Sequence, residues 1–314
     1  MWCCSLVLMI SFIPNSSRVL GEADLWGFYP HKMINKHAIY TLPPAMIHFY
    51  QNQEDNIVQM AVNPDRRRYA IKGEGVRHFI DLDRYPETVS ELWTRSRMRN
   101  DTLSQELGIL PWHLMKLRYQ LTYAFRACDL EDIVRYSAEA GHYLADAHVP
   151  LHTTSNYNGQ YTNQKGIHGF WETRVPEVLW AEFDLWVGKA RYWEDITCEI
   201  WDIIWNTHQA VDSVLYWECH LSDSLPEQIK YSYESRNKRL IRTYSETFLR
   251  AYHQKLDRQV ERQIRKSIRA VGNFWYSCWL DAGQPSLLWQ GDDEGVTTTP
   301  VLDRRWKNDP QNRF

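Results

Sequence analysis

Within 31 residues the chain sets out His142, Asp146, His152, His168 and Glu172, spaced four, six, sixteen and four. Imidazole and carboxylate without thiolate is the ligand chemistry of a reactive zinc site, and each pair four apart brings both side chains to one helical face. A single His and acid at that spacing is ordinarily a solvated ion pair. The set resists that explanation, because four of the chain's twelve histidines fall between residues 142 and 168, ordered HxxxD, then PLH, then HxxxE. The clustering points to a metal-dependent hydrolase.

Elements that could position these groups follow from periodicity. Apolar residues at Leu130, Ile133, Val134, Ala138, Gly141, Leu144 and Ala145 predict a helix over 129–148, with Asp129 as N-cap. His142 and Asp146 sit beside that stripe. Pro150 ends the helix, so His152 is delivered by the following turn. Residues 153–167 are polar and Asn/Gly-rich and read as a surface loop at the rim of a site. His168 to Glu172 opens the next helix. Helical periodicity also covers His31–Thr41 and Ala45–Val62, separated by Pro43-Pro44, and the long stretches Trp193–Leu221 and Glu234 to about Leu280. No segment alternates as a strand. The expectation is an all-α, single multi-helix domain over residues 26–284, with side chains from several helices converging on a buried polar centre. The last 30 residues, 285–314, are polar and Gly/Asp/Thr-rich and read as an irregular tail.

The chain has 314 residues, 44% hydrophobic and 24% charged, which is ample for a sizeable core. Its formal net charge of -3 provides no polybasic surface for reading duplex DNA. Fifteen Trp, eighteen Tyr and ten Phe offer stacking surface, so a nucleic acid partner would be held locally, by metal and by rings. The apolar run Trp2–Ile13 is too short to span a bilayer and fits the core of a secretory signal, giving residues 1–25 as a leader and a secreted or periplasmic destination. No second apolar stretch is long enough for a transmembrane anchor. Cys128, Cys198, Cys219 and Cys278 form no CxxC, which excludes a zinc ribbon and leaves one or two disulfides possible. Oligomeric state is not written in these residues.

Two further constellations lie upstream: Trp26-Gly-x-x-x-His31, and Asp65-Arg66-Arg67-Arg68 followed by His78-Phe79-Ile80-Asp81-Leu82-Asp83. With them the sequence resembles the zinc-dependent phosphodiesterases that include phospholipase C and the single-strand-specific nucleases, all-α proteins that bind three zinc ions. The resemblance runs in motif order from Trp26 through Glu172 and covers nine ligand positions. It implies one zinc held by Asp65, His78, His142 and Asp146, and a second held by His152, His168 and Glu172. A third would take His31, Asp146 as a bridge, and the amine and carbonyl of Trp26, provided that processing makes Trp26 the first residue.

The chemistry suits the substrate class. Hydrolysis of a phosphodiester adds charge at phosphorus, and two cations about 3.5–4 Å apart can share a hydroxide and neutralise the developing oxyanion. Zinc brings the pKa of bound water to about 7, so the nucleophile needs no dedicated protein base. The resemblance implies that Arg68 contacts the phosphate and Asp81 orients the attacking water. Phe79 is either core or a stacking platform for a base, and His148 is expected to make a hydrogen bond behind the ligands.

The two substrate classes are single-stranded nucleic acid and phospholipid. The compact Trp26-to-His31 start, the Asp146-x-His148-x-Pro150-Leu151-His152 run and Trp171 are closer to the nucleases, whereas Glu172 matches phospholipase C. The loop over 153–167 selects between them, with Asn158 a candidate substrate-binding residue. A third reading, a zinc-stabilised binding protein without turnover, fits poorly, since structural zinc sites are closed and thiolate-rich.

Overall fold

The computed structural model describes residues 28–68, 70–85, 91, 106–236 and 238–287. Trp26, the expected leader and residues 288–314 lie outside the described residues. The chain folds mainly into helices: α1 (Phe28–Ile39), α2 (Pro44–Asn52), α3 (Glu54–Met60), the short α4 (Asn63–Arg67), α5 (Leu110–Ala127) and α6 (Leu130–Asp146). A continuous helical run follows, Ile167–Gly169, a π turn Phe170–Arg174 and Val175–Leu179, here called α7. Then come α8 (Ile196–His208), α9 (Val211–Ser224), a hairpin of β1 (Tyr231–Arg236) and β2 (Arg239–Tyr244), α10 (Glu246–Lys255) and α11 (Gln259–Asp281). Among the described residues no helix is long and apolar enough to cross a membrane.

Helix α6 is the spine. The Asp129 carboxylate accepts from the Asp132 amide at 3.0 Å, the expected cap. α6 packs against α1, α3, α5 and α11. Its approach to α1 depends on Gly141, where a Cβ would sit 2.1 Å from the Asn35 side-chain oxygen. Buried side chains from Ile34 to Leu287 form one contiguous core. The aromatic content belongs largely to that core, with its polar handles satisfied: Tyr50 stacks on Trp275 at 4.9 Å and bonds Ser137 Oγ at 2.8 Å, while Trp275 Nε1 donates to Ser137 O at 3.0 Å.

Several expectations need correction. The helix expected over 45–62 breaks at Gln53, and the one over 193–221 breaks at Gln209 and Ala210. The stretch from Glu234 is not one helix. Its start is an antiparallel hairpin pairing Tyr231 with Tyr244 through Arg236 with Arg239, and α10 and α11 are parted by Asp257 and Arg258, both with positive φ. Helix α5 is an addition to the elements expected above. Packing also runs past residue 284: Leu287 is buried and Pro285 O accepts from Trp279 Nε1 at 2.9 Å. Cys128, Cys198, Cys219 and Cys278 are all free thiols.

Candidate metal centre

Five histidines and three acids from six places in the chain meet at the end of α6. His31 comes from α1, Asp65 from α4, His78 from the segment after it, His142 and Asp146 from α6, His152 from the turn after Pro150, and His168 and Glu172 from α7. All eight are buried or partly buried.

The first set is Asp65, His78, His142 and Asp146. His78 Nδ1 lies 2.9 Å from Asp146 Oδ2, 3.1 Å from His142 Nε2 and 3.8 Å from Asp65 Oδ1. His142 Nε2 lies 3.4 Å from Asp146 Oδ2 and 3.9 Å from Asp65 Oδ1. Zinc bonded at about 2.0–2.1 Å in a tetrahedron would hold such donors roughly 3.3–3.4 Å apart. The observed separations straddle that value. The second set is His152, His168 and Glu172, with Glu172 Oε2 at 3.4 Å from His152 Nε2 and 2.7 Å from His168 Nε2.

Between them lies His31, whose Nε2 is 3.5 Å from Asp146 Oδ1 and 3.3 Å from Glu172 Oε1. Each of the two buried carboxylates therefore divides its oxygens: Asp146 between the first set and His31, Glu172 between the second set and His31. The position expected for the Trp26 amine is outside the described residues. A three-donor group of His31, Asp146 and Glu172 exists without it, a second role for Glu172 that its spacing alone did not reveal.

The backbone fixes which imidazole nitrogens face inward. His142 Nδ1 donates to Ala61 O at 2.9 Å, His152 Nδ1 to His78 O at 2.5 Å and His168 Nδ1 to Tyr157 O at 3.0 Å. Each leaves Nε2 turned to the cluster, the orientation metal-binding imidazoles need. His152 Nε2 is buried and makes no hydrogen bond among the described residues. His78 Nδ1 faces a carboxylate that wants a proton and an imidazole that can supply one, a conflict that a shared cation removes. The donors present thus fit divalent zinc.

Burial works against charge on His142 and His152, but Asp146 with Asp65, and Asp146 with Glu172, outweigh it and lift both to about 9. Burial likewise opposes ionisation of Asp146 and Glu172, yet the surrounding imidazoles hold both well below the ordinary carboxylate range. His78 is lowered, chiefly by burial. His148 donates from Nδ1 to Leu144 O at 2.7 Å, and burial brings it down to about 4. It is a neutral neighbour that lines a small cavity with His31 and Glu172.

The other expected site residues are not among the clustered donors. Asp81 is buried, and burial and Asp83 raise its carboxyl to about 6. Its neighbour Ile80 donates to His152 O at 2.9 Å. Arg68 is exposed and makes no side-chain ion pair among the described residues. Phe79 is half-buried against Gly108, where φ is 88° and a Cβ would lie 2.1 Å from the Phe79 carbonyl oxygen. Asn158 closes its own loop, accepting from the Gly166 amide at 3.0 Å. That loop lies at the surface, with Tyr157 and Tyr161 exposed, and is pinned near both ends. Asp83 accepts from the Ser155 amide at 2.9 Å and hydroxyl at 2.7 Å, and Gln164 Nε2 donates to Glu218 at 2.6 Å.

Glu74 was not anticipated. Fully buried, it accepts from Tyr143 Oη at 2.5 Å, Arg77 at 2.6 Å and Arg67 at 3.1 Å, and Arg67 also bonds Glu139 at 2.7 Å. This joins the His78 segment to α6, beside His142. Of the three consecutive arginines, Arg67 is the structural one.

Neither protein-family models nor curated proteins give a match to this chain.

Proposed function

We propose that the protein is a zinc-dependent phosphodiesterase of the phospholipase C and zinc nuclease type, with nucleic acid as the favoured substrate. The observation that carries the reading is the division of Asp146, with Oδ2 toward His78 and His142 and Oδ1 toward His31. A carboxylate set that way suits two neighbouring cations. Asp65, His78, His142 and Asp146 would hold one zinc, and His152, His168 and Glu172 a second. His31 with Asp146 would hold a third, aided by Glu172 or Trp26. When bound, zinc supplies positive charge to the phosphate oxygens and water acidic enough to attack near neutral pH.

The protein's own groups do the rest. Asp81, with its carboxyl near 6, can take a proton from an ordered water near neutral pH. Arg68, exposed three residues beyond Asp65, can neutralise a flanking phosphate. Phe79 is half-buried, and Tyr157, 53% exposed, stands edge-on 6.2 Å from His168. Rings at that rim suit bases better than lipid head groups.

The test is to load the purified chain with zinc and offer single-stranded DNA, RNA and phosphatidylcholine side by side. Chelator-sensitive cleavage of the nucleic acids supports the reading. Cleavage of phosphatidylcholine alone moves the protein to the lipid branch, and tight zinc without turnover makes it a scaffold.

A further inference from the structure

The hairpin that follows α9 has a charge at odds with the whole chain. From Lys230 to Arg242 it carries Lys230, Arg236, Lys238, Arg239 and Arg242 against Glu234 alone, on a chain whose formal net charge is -3. Two of these cations are committed: Lys230 pairs with buried Glu218 at 2.7 Å, and Arg242 lies 3.7 Å over the Tyr231 ring while reaching Glu227 at 3.0 Å. Lys238 and Arg239 are exposed at the turn and have no acidic partner among the described residues. On the strands, Tyr233 is 66% exposed and pairs with Arg242 across the ladder.

The base of the hairpin is fixed to the wall of the metal centre. Tyr244 stacks on Phe170 at 3.9 Å, and Glu234 bonds Arg174. Phe170 and Arg174 bracket Glu172 in the π turn of α7. From Glu234 to the end of β1 at Arg236 is two residues, roughly 7 Å of strand, and Lys238 and Arg239 stand at the turn beyond it.

We propose that this hairpin is a docking arm for a strand of nucleic acid held at the metal centre, with Lys238 and Arg239 meeting phosphates and Tyr233 stacking on a base. Exposed cations at the tip, with an accessible ring further down β1, suit a single-stranded polyanion that wraps the end of the ribbon. A membrane would ask for a broad apolar face, and Leu240 is the one large aliphatic side chain exposed on this hairpin. The inference builds on the phosphodiesterase reading, but its readout is binding, so the two can fail separately.

The experiment uses the zinc-loaded full chain and a labelled, hydrolysis-resistant phosphorothioate 30-mer, with affinity measured by anisotropy across a salt series. The double variant Lys238→Glu, Arg239→Glu should bind about tenfold more weakly. Its log–log salt slope should be shallower by about 1.4, since each phosphate contact on a single strand contributes about 0.7. Hydrolysis of the small diester bis(p-nitrophenyl) phosphate should stay within twofold of the parent. Tyr233→Ala, which leaves the charge intact, should weaken binding severalfold without changing the slope, and it carries the test should the double variant misfold. Unchanged affinity and slope in both variants overturn the proposal. So does binding to phosphatidylserine vesicles with indifference to the 30-mer. Hairpin-dependent binding in a chain that cleaves no diester upholds the arm and removes the enzyme.

Discussion

His142 Nε2 and His78 Nδ1 face one another across 3.1 Å in the interior, with Asp146 Oδ2 within 3.4 Å of both. Two imidazole nitrogens that close must share either a proton or a cation. In the absence of metal His142 and His152, lifted to about 9, are protonated at pH 7.

Zinc must displace those protons, since only neutral imidazole is a ligand. Zinc affinity should therefore rise between pH 6 and 9, and binding at pH 7 should release about two protons from these residues. Calorimetry in buffers of different ionisation enthalpy measures the number. Binding without proton release would contradict the pairing seen here.

Stability of the metal-free protein follows the same groups in the opposite sense. Raised imidazoles stabilise the fold fully below their unfolded pKa, about 6.5, and the contribution is lost as pH rises through about 9. The depressed Asp146 and Glu172 stabilise above their unfolded values, about 4, and their share is lost as pH falls through the lower folded ones. Buried His148, brought down to about 4, and the lowered His78 and His113 act the other way, losing stability as pH falls below about 6.5, so metal-free protein should melt highest near about pH 6.5. Zinc should raise the melting temperature most on the alkaline side, and thermal scans with and without chelator decide it.

Gly141→Ala places a methyl where the buried Asn35 side chain already sits. We expect a loss of about 1–3 kcal/mol from overpacking. Because the displaced partner is the helix that carries His31, zinc affinity should fall as well. A melting point matching the parent would show that α1 and α6 tolerate separation.

Glu74→Gln removes the charge that Arg67, Arg77 and Tyr143 share. Both arginines are a quarter to a third exposed, so the expected cost is about 1–3 kcal/mol, below that of a fully buried pair. Tyr143→Phe removes one of those bonds and should cost about 1 kcal/mol. Denaturant unfolding of both variants measures the difference.

Much of the centre was legible because chemistry restricts residue type: the HxxxD and HxxxE spacings lie on α6 and α7, and Asp65 and His78 join them. The helical character of the chain was legible for the same kind of reason, a repeated apolar period. The hairpin was not. A two-stranded ribbon with Tyr233 and Leu240 exposed has no buried face to impose alternation, so its sequence reads as more polar helix. Glu74 was also hidden, since a carboxylate buried by arginines and a tyrosine looks in sequence like any surface charge. The two roles of Glu172 arise only when α1 packs against α7.

The most direct test is a crystal of the zinc-loaded chain with diffraction recorded on both sides of the zinc absorption edge. The account predicts one anomalous peak among Asp65, His78, His142 and Asp146 and another among His152, His168 and Glu172, with nitrogen and oxygen ligands at about 2.0–2.1 Å. Zinc bound only through cysteine sulfur, or no peak at either place, would contradict it.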